Sequence, residues 1–184
     1  IPRIFELLDD REPKIQECSL QLVRNLIHGH TSRLSMELIA GQNGSRLLSY
    51  IETCLTRSAA GSLNDATTIQ LLYVLSNMIV CINEQQKATV LQSSIIQNIF
   101  TLMKHTNAEI RSSLVLILIN TTWKGDAGYK ERIEQLRQLN VEEKLQDMLT
   151  QEPSIDVRDR VRQCLEQINL GQRTRQLEDE DIEM

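Results

Sequence analysis

Residues 1–25, IPRIFELLDDREPKIQECSLQLVRN, lie over residues 96–120, IQNIFTLMKHTNAEIRSSLVLILIN, without a gap. Ile1 falls on Ile96, Ile4 on Ile99, Phe5 on Phe100, Leu7 on Leu102 and Leu8 on Met103. Further on, Ile15 meets Ile110, Leu22 meets Ile117, Val23 meets Leu118, and a polar residue, Asn25, meets Asn120. So many matched apolar positions with a matched polar one mark an internal repeat, and a repeat decides architecture before any single motif does.

Two further copies fit with small insertions. Leu48, Ile51, Cys54 and Leu55 take the places of Ile1, Ile4, Leu7 and Leu8, and a longer loop leads to Val74, Leu75, Asn77 and Met78. In the last copy Leu145, Met148 and Leu149 are followed by Val157, Val161, Cys164, Leu165, Gln167 and Ile168. The anchors Asn25, Asn77, Asn120 and Gln167 stand 52, 43 and 47 residues apart, a period typical of armadillo and HEAT solenoids. Each copy holds a long amphipathic helix, as in Ile110, Leu114, Ile117, Leu118 and Thr121, and a shorter one before it. A third helical piece lies between copies, at residues 31–40, 83–92 and 127–139, which favours the three-helix armadillo repeat.

The expected fold is all-α, an armadillo-type right-handed superhelical solenoid over residues 1–169. Its repeats run over about 1–30 (incomplete), 31–82, 83–125 and 126–169. The pattern predicts helices at 3–9, 13–28, 31–40, 44–57, 64–82, 84–92, 94–104, 107–122, 127–138, 141–150 and 154–168. Gly29, Gly41, Gly44, Gly61, Gly125 and Gly128 fall between helices, and Pro13 and Pro153 open long ones. Residues 170–184 lose the pattern and read as a polar, acidic, mobile tail. The first copy lacks a leading helix, so the chain reads as opening mid-repeat. Ile1, Ile4 and Phe5 are then expected to form an exposed apolar patch, for upstream armadillo repeats or for self-association.

Composition agrees. Of 184 residues 41% are hydrophobic but only 3% aromatic, and seven glycines and three prolines are too few for a turn-rich β domain. The net charge of −5 comes entirely from Glu178, Asp179, Glu180, Asp181 and Glu183, which leaves residues 1–175 neutral. A neutral body carries no electrostatic footprint for a phosphate backbone, so nucleic acid is not an expected partner. Cys18, Cys54, Cys81 and Cys164 form no C-x-x-C pair and read as buried reduced thiols of a cytoplasmic or nuclear protein. No apolar run is long enough to span a membrane.

The segment Lys14-Ile15-Gln16-Glu17-Cys18-Ser19-Leu20-Gln21-Leu22-Val23-Arg24-Asn25-Leu26, behind a proline-led helix, resembles the armadillo consensus I-Q-x-x-[AS]-L-x-x-L-x-N-L. A narrower stretch, residues 116–123 (LILINTTW) followed by Glu131-Arg132-Ile133 and Leu136-Arg137, resembles the C-terminal repeats of the armadillo scaffold subunit of the GID/CTLH ubiquitin ligase. That resemblance implies a scaffold without chemistry of its own. Its concave groove would clamp the tail of an interchangeable substrate receptor that captures degrons.

Asparagine is disfavoured inside helices because its amide competes for backbone hydrogen bonds, so three at one phase need a reason. Two readings stand side by side. The carboxamides line the concave face and hold the main chain of a bound peptide, or they bond to neighbouring helices within the solenoid. Helical spacing of four before and three after each anchor gives the candidate groove. It comprises Gln21, Asn25 and His28; Tyr73, Asn77 and Val80; Leu116, Asn120 and Trp123; and Gln163 and Gln167. Trp123 reads equally as an interface anchor or as a side chain packed under the following loop.

No acid occurs among these eleven residues, and Gln21, Tyr73 and Leu116 stand where nuclear-import receptors place tryptophan. A nuclear-transport peptide receptor and a purely structural spacer are the alternatives to the ligase scaffold. His28-x-His30 lacks further ligands for a metal, Glu142-Glu143 suits a helix N-terminus, and no nucleophile or phosphate-binding motif occurs. No enzyme activity, metal or cofactor is expected.

Overall fold

The structure is a computed structural model that describes residues 1–28 and 32–182, with side chains described as far as residue 170. Gly29, His30 and the start of the helix expected at 31 lie outside the described residues, as do the side chains of the acidic tail from residue 171 onward, where mobility was expected.

Eleven helices and no strand are found among the described residues. They are α1 Pro2–Leu8, α2 Pro13–Ile27, α3 Arg33–Ile39, α4 Gly41–Ala59, α5 Asp65–Cys81, α6 Glu84–Gln92, α7 Ser94–Leu102, α8 Ala108–Thr121, α9 Tyr129–Gln138, α10 Val141–Gln151 and α11 Ile155–Ile182. Their starts are written in short polar residues. Ser32, Asn64, Asn83, Ser93 and Asn107 each accept a backbone N–H from the first turn, and Asn83 with Gln86 closes a capping box. Pro13 occupies the first turn of α2.

The long helices α2, α5, α8 and α11 pack side by side in that order, and α4 packs on α7 in a second row. The result is an all-α solenoid of three-helix layers, α3–α5, α6–α8 and α9–α11, preceded by the pair α1–α2. The inner helices α5 and α8 are covered on both flanks and therefore bury side chains nearly all round, from Ile69, Leu71, Leu72, Val74 and Leu75 to Ile110, Leu114, Val115, Ile117 and Leu118.

The two ends of the stack differ from each other and from the expectation. Phe5 is only 2% exposed, with the Arg46 guanidinium 4.2 Å over its ring, and Ile1 and Ile4 are partly buried against the core. The exposed apolar face belongs instead to α2. Leu22 is 44% exposed, whereas its repeat counterparts Val74, Ile117 and Cys164 are at most 1% exposed. Ile15 is 38% exposed against at most 1% for Thr67, Ile110 and Val157. With Leu7, Lys14, Cys18 and Ser19 these side chains line a shallow depression. The physical reason is that long helices carry most of the contact between layers, so an uncovered layer shows on its long helix. At the other end, Arg162 stands where Leu20, Leu72 and Val115 are buried, and Asn169 where Ile27 and Ile79 are buried; both are exposed. That flank is polar, as in a capping layer.

Two boundaries also need correcting. Helix α11 does not stop at 168 but runs on to Ile182, through a proline-free polar stretch that apolar periodicity cannot detect and in which Gln, Arg, Leu and Glu favour helix. Helix α4 begins at Gly41, not at 44. Gly44 is therefore helical, and it permits a close approach: a Cβ there would run into the Ile39 carbonyl oxygen of α3.

Candidate functional site

The packing of α2, α5, α8 and α11 brings the expected anchors onto successive helices of one row. The carboxamide nitrogens of Asn77, Asn120 and Gln167 each donate to the long helix before them. Asn77 Nδ2 lies 3.2 Å from the Arg24 carbonyl oxygen, and Asn120 Nδ2 lies 3.4 Å from that of Ser76 and 3.0 Å from Ser76 Oγ. Gln167 Nε2 is 2.7 Å from both the Ile119 carbonyl oxygen and Thr122 Oγ1. In every case the accepting carbonyl belongs to the residue just before the neighbouring anchor. Asn25, which has no described long helix before it, is exposed. The amide donors thus brace the stack, as the structural reading expects. The oxygens of Asn77, Asn120 and Gln167 accept no hydrogen bond among the described residues, and none is completely buried without a partner.

Four residues earlier the row is less open. Tyr73 is half-buried, with Arg24 stacked 4.3 Å over its ring and its hydroxyl donating to Glu109 at 2.9 Å. Burial, and then the bond to Glu109, raises its phenol pKa above the ordinary value. Gln21 and Leu116 are half-buried and Gln163 is exposed. Three residues after each anchor the picture reverses. His28 is exposed, Val80 is 55% and Trp123 51% exposed, and the same line continues to Leu170 at 56%. Leu170 falls outside the eleven expected residues, although the same step of three from Gln167 points to it.

Trp123 answers to both of its readings in part. A Cβ on Gly125 would meet its Nε1 at 2.7 Å, so one side of the indole lies on the following turn. The rest is open, and its N–H donates to nothing among the described residues. That turn is fixed by a charge cluster the repeat pattern does not reveal. Lys87 of α6 and Arg132 of α9, 3% and 2% exposed, share Asp126, and Arg132 also binds Glu84 and the Thr121 and Ala127 carbonyls. Gly128 enters α9 at φ +68°, where a Cβ would lie 2.8 Å from Glu84 Oε2. Buried Lys and Arg are seldom fully covered unless paired, and here they are paired.

Elsewhere, Arg111 grips Glu152 through two 2.6 Å bonds and donates to the His105 and Thr106 carbonyls. The Arg111 guanidinium holds the Glu152 carboxyl below its ordinary value. Glu142 and Glu143 sit in the first turn of α10, with Glu142 also paired to Arg137. Of the thiols, Cys54 and Cys164 are buried and Cys81 half-buried, but Cys18 is exposed, contrary to the expectation of burial, because it lies on the uncovered flank of α2. Among the described residues no group of three or more His, Cys, Asp or Glu is placed to hold a metal, and no helix is long and apolar enough to cross a membrane.

No family model matches the chain. It is similar to armadillo repeat-containing protein 8 of Xenopus laevis, 24% identical over 165 residues, which is 90% of this chain and 22% of the relative. The protein of the same name from Pongo abelii is 24% identical over 165 residues, 90% of this chain and 23% of its own length. The Mus musculus protein is 22% identical over the same lengths. The chain thus spans less than a quarter of these relatives. In structure it is similar to the crystal structure of an engineered protein, with a TM-score of 0.68 at 15% identity over 91% of this chain and 62% of the other. The three-helix layers and the weak likeness to these relatives support armadillo-repeat character.

Proposed function

We propose that this chain is a non-catalytic protein-interaction scaffold whose long-helix face holds an extended peptide. Within that reading, the partner is the tail of a substrate receptor in a ubiquitin ligase, held for degron recognition in the cytoplasm and nucleus. The observation that carries the proposal is the row of amide oxygens on Asn77, Asn120 and Gln167, one per layer, that accept no hydrogen bond among the described residues. A peptide main chain supplies the N–H donors such a row lacks. The armadillo-repeat relatives support a binding scaffold, and the sequence resemblance to the ligase subunit supports the choice of partner.

The test is affinity purification of the full-length protein with identification of its partners, followed by binding measurements on an Asn77→Ala, Asn120→Ala double variant. Each lost hydrogen bond is worth about 0.5–1.5 kcal/mol, so partner affinity should fall by roughly tenfold. Because the amide nitrogens also brace the stack, the variant should melt several degrees lower. Binding is therefore compared well below both melting temperatures. Wild-type affinity in a folded double variant would show that these residues serve the stack alone.

A further inference from the structure

The turn between α8 and α9 spans residues 122–128, whereas α5 and α6 are joined by Ile82 and Asn83 alone. Little of the longer turn is packed. Trp123, Lys124, Gly125, Ala127 and Gly128 are all exposed, and beyond the helix cap Thr122 only Asp126 is drawn inward, its side chain 28% exposed. Charge draws it in, since no apolar side chain of the turn is buried. Asp126 accepts from the Lys87 ammonium on α6 and, at 3.4 Å, from Nη2 of Arg132 on α9. Arg132 Nε and Nη1 donate to the Thr121 carbonyl at 2.6 Å and the Ala127 carbonyl at 2.9 Å, so one guanidinium grips both ends of the turn. Its Nη1 also binds Glu84 of α6.

The repeat itself does not demand these charges. Lys87 and Arg132 are the fourth residues of α6 and α9, and the fourth residue of α3 is Met36, which is 53% exposed. The cluster sets two cations against two acids, but its exposure is uneven. The side chains of Lys87 and Arg132 are each 3% exposed, whereas that of Glu84 is at 42%. Water and salt therefore reach the cluster from the side of the acids, and Asp126 belongs to the turn. Swinging the turn outward breaks ion pairs but returns both cations to water, and the desolvation of buried charges largely offsets their attraction. A strap held in that way has two states close in free energy. One held by buried apolar area has no such return, because opening it only exposes hydrocarbon.

We propose that residues 122–128 form an electrostatic strap between successive layers. Asp126 closes it onto Lys87 and Arg132, and loss of that charge contact lets the turn swing out as a unit while the apolar rows of the stack stay folded. Trp123 moves with the strap. Its indole rests on Gly125, where a Cβ would lie 2.7 Å from Nε1, so the state of the strap decides how this ring is presented. Lys87 and Arg132 are positioning residues, acting on Trp123 through Asp126 and the two carbonyls. None of this depends on what the long-helix face binds.

Trp123 is the one tryptophan of the chain, so its fluorescence reports the strap. The experiment measures acrylamide quenching in the full chain, with far-UV circular dichroism to check the helices. Because Trp123 is already 51% exposed, release of the strap should raise the quenching constant by up to about twofold. Asp126→Asn, which keeps the shape and removes the charge, should show that rise at low salt. The wild type should approach it only at about 1 M sodium chloride, where the Debye length is about 3 Å, and the variant should not respond to salt. Asp126→Asn also leaves Lys87 buried without its nearest acid, so it should melt lower. Adding Lys87→Met removes that cation and should restore the melting temperature without restoring the shielding of Trp123. Glu152→Gln, which breaks the Arg111 pair elsewhere in the stack, should melt lower with unchanged quenching. Wild-type quenching in folded Asp126→Asn would overturn the strap, as would an equal salt response in variant and wild type. Shielding that returns with Lys87→Met would also overturn it, because the ions would then serve stability alone. Should Asp126→Asn fail to fold, the double variant carries the same quenching test.

Discussion

At the scale of single residues, the same amino acid takes different roles according to its place in the stack. Asn25 and Asn120 are matched in sequence, yet one is exposed and the other donates to Ser76 of the layer before it. The cysteines show the same dependence. Cys18 and Cys164 both lie on long helices, but Cys164 is fully buried and its thiol pKa is pushed up to about 12 by loss of solvent. The thiolate is the reacting species, so a buried thiol of raised pKa is inert at neutral pH. A disulfide reagent added to the native protein at about pH 7.5 should label Cys18 first, because its sulfur is on an exposed residue that the reagent can reach. Cys54 and Cys164 should react only on the timescale of unfolding. Rapid native labelling of Cys164, read by mass spectrometry of tryptic peptides, would contradict that burial.

At the scale of the helix, repeat-matched positions provide internal controls. Leu22 and Ile117 share a register, but Leu22 is 44% and Ile117 1% exposed. Truncating a buried Ile to Ala costs about 2–5 kcal/mol through lost transfer energy and the cavity left behind. The exposed partner gives up much less on folding. Ile117→Ala should thus lower stability by about 3 kcal/mol, and Leu22→Ala by less than about 1 kcal/mol. Urea unfolding monitored by circular dichroism would measure both. Comparable losses would mean that something covers the α2 flank in solution. The difference is invisible in sequence, because the amphipathic pattern of α2 says which residues are apolar and not which flank has a neighbour.

At the scale of the whole molecule, layers are joined by a few long-range polar contacts set into an apolar stack. Glu152 caps the end of α10 and receives Arg111 from α8, so one ion pair ties the last two layers together. Its carboxyl is depressed below the ordinary value of 4.5, chiefly by the hydrogen bond from Arg111. The sign follows from linkage: the unfolded state binds the proton more readily, so the stabilisation is complete above about pH 4.5 and is lost as pH falls through the folded value. Glu152→Gln should cost about 1.5–3 kcal/mol at about pH 7, the range for hydrogen bonds to charged groups. The gap between variant and parent should narrow below about pH 4.5, while a constant gap from about pH 7 to about pH 3 would refute the linkage.

The sequence by itself determined the repeat, the helical class and nearly every helix, because a period of 43 to 52 residues and an apolar stripe at helical spacing are properties of the chain alone. It also placed Asn77, Asn120, Trp123 and Val80 on one face, since step-of-three and step-of-four arithmetic survives folding unchanged. Only the tertiary structure decided which side of each residue is occupied. It showed the asparagine nitrogens taken by the preceding helix and their oxygens left without a hydrogen bond among the described residues. It moved the uncovered apolar face from α1 to Leu22 and Ile15 of α2, and brought Glu84 and Lys87 of one layer to Asp126 and Arg132, well further along the chain, at the turn that follows Trp123. The physical reason is the same throughout. Periodicity fixes the direction of a side chain within its own helix, whereas burial, hydrogen-bond partners and ion pairs depend on the helix that packs beside it.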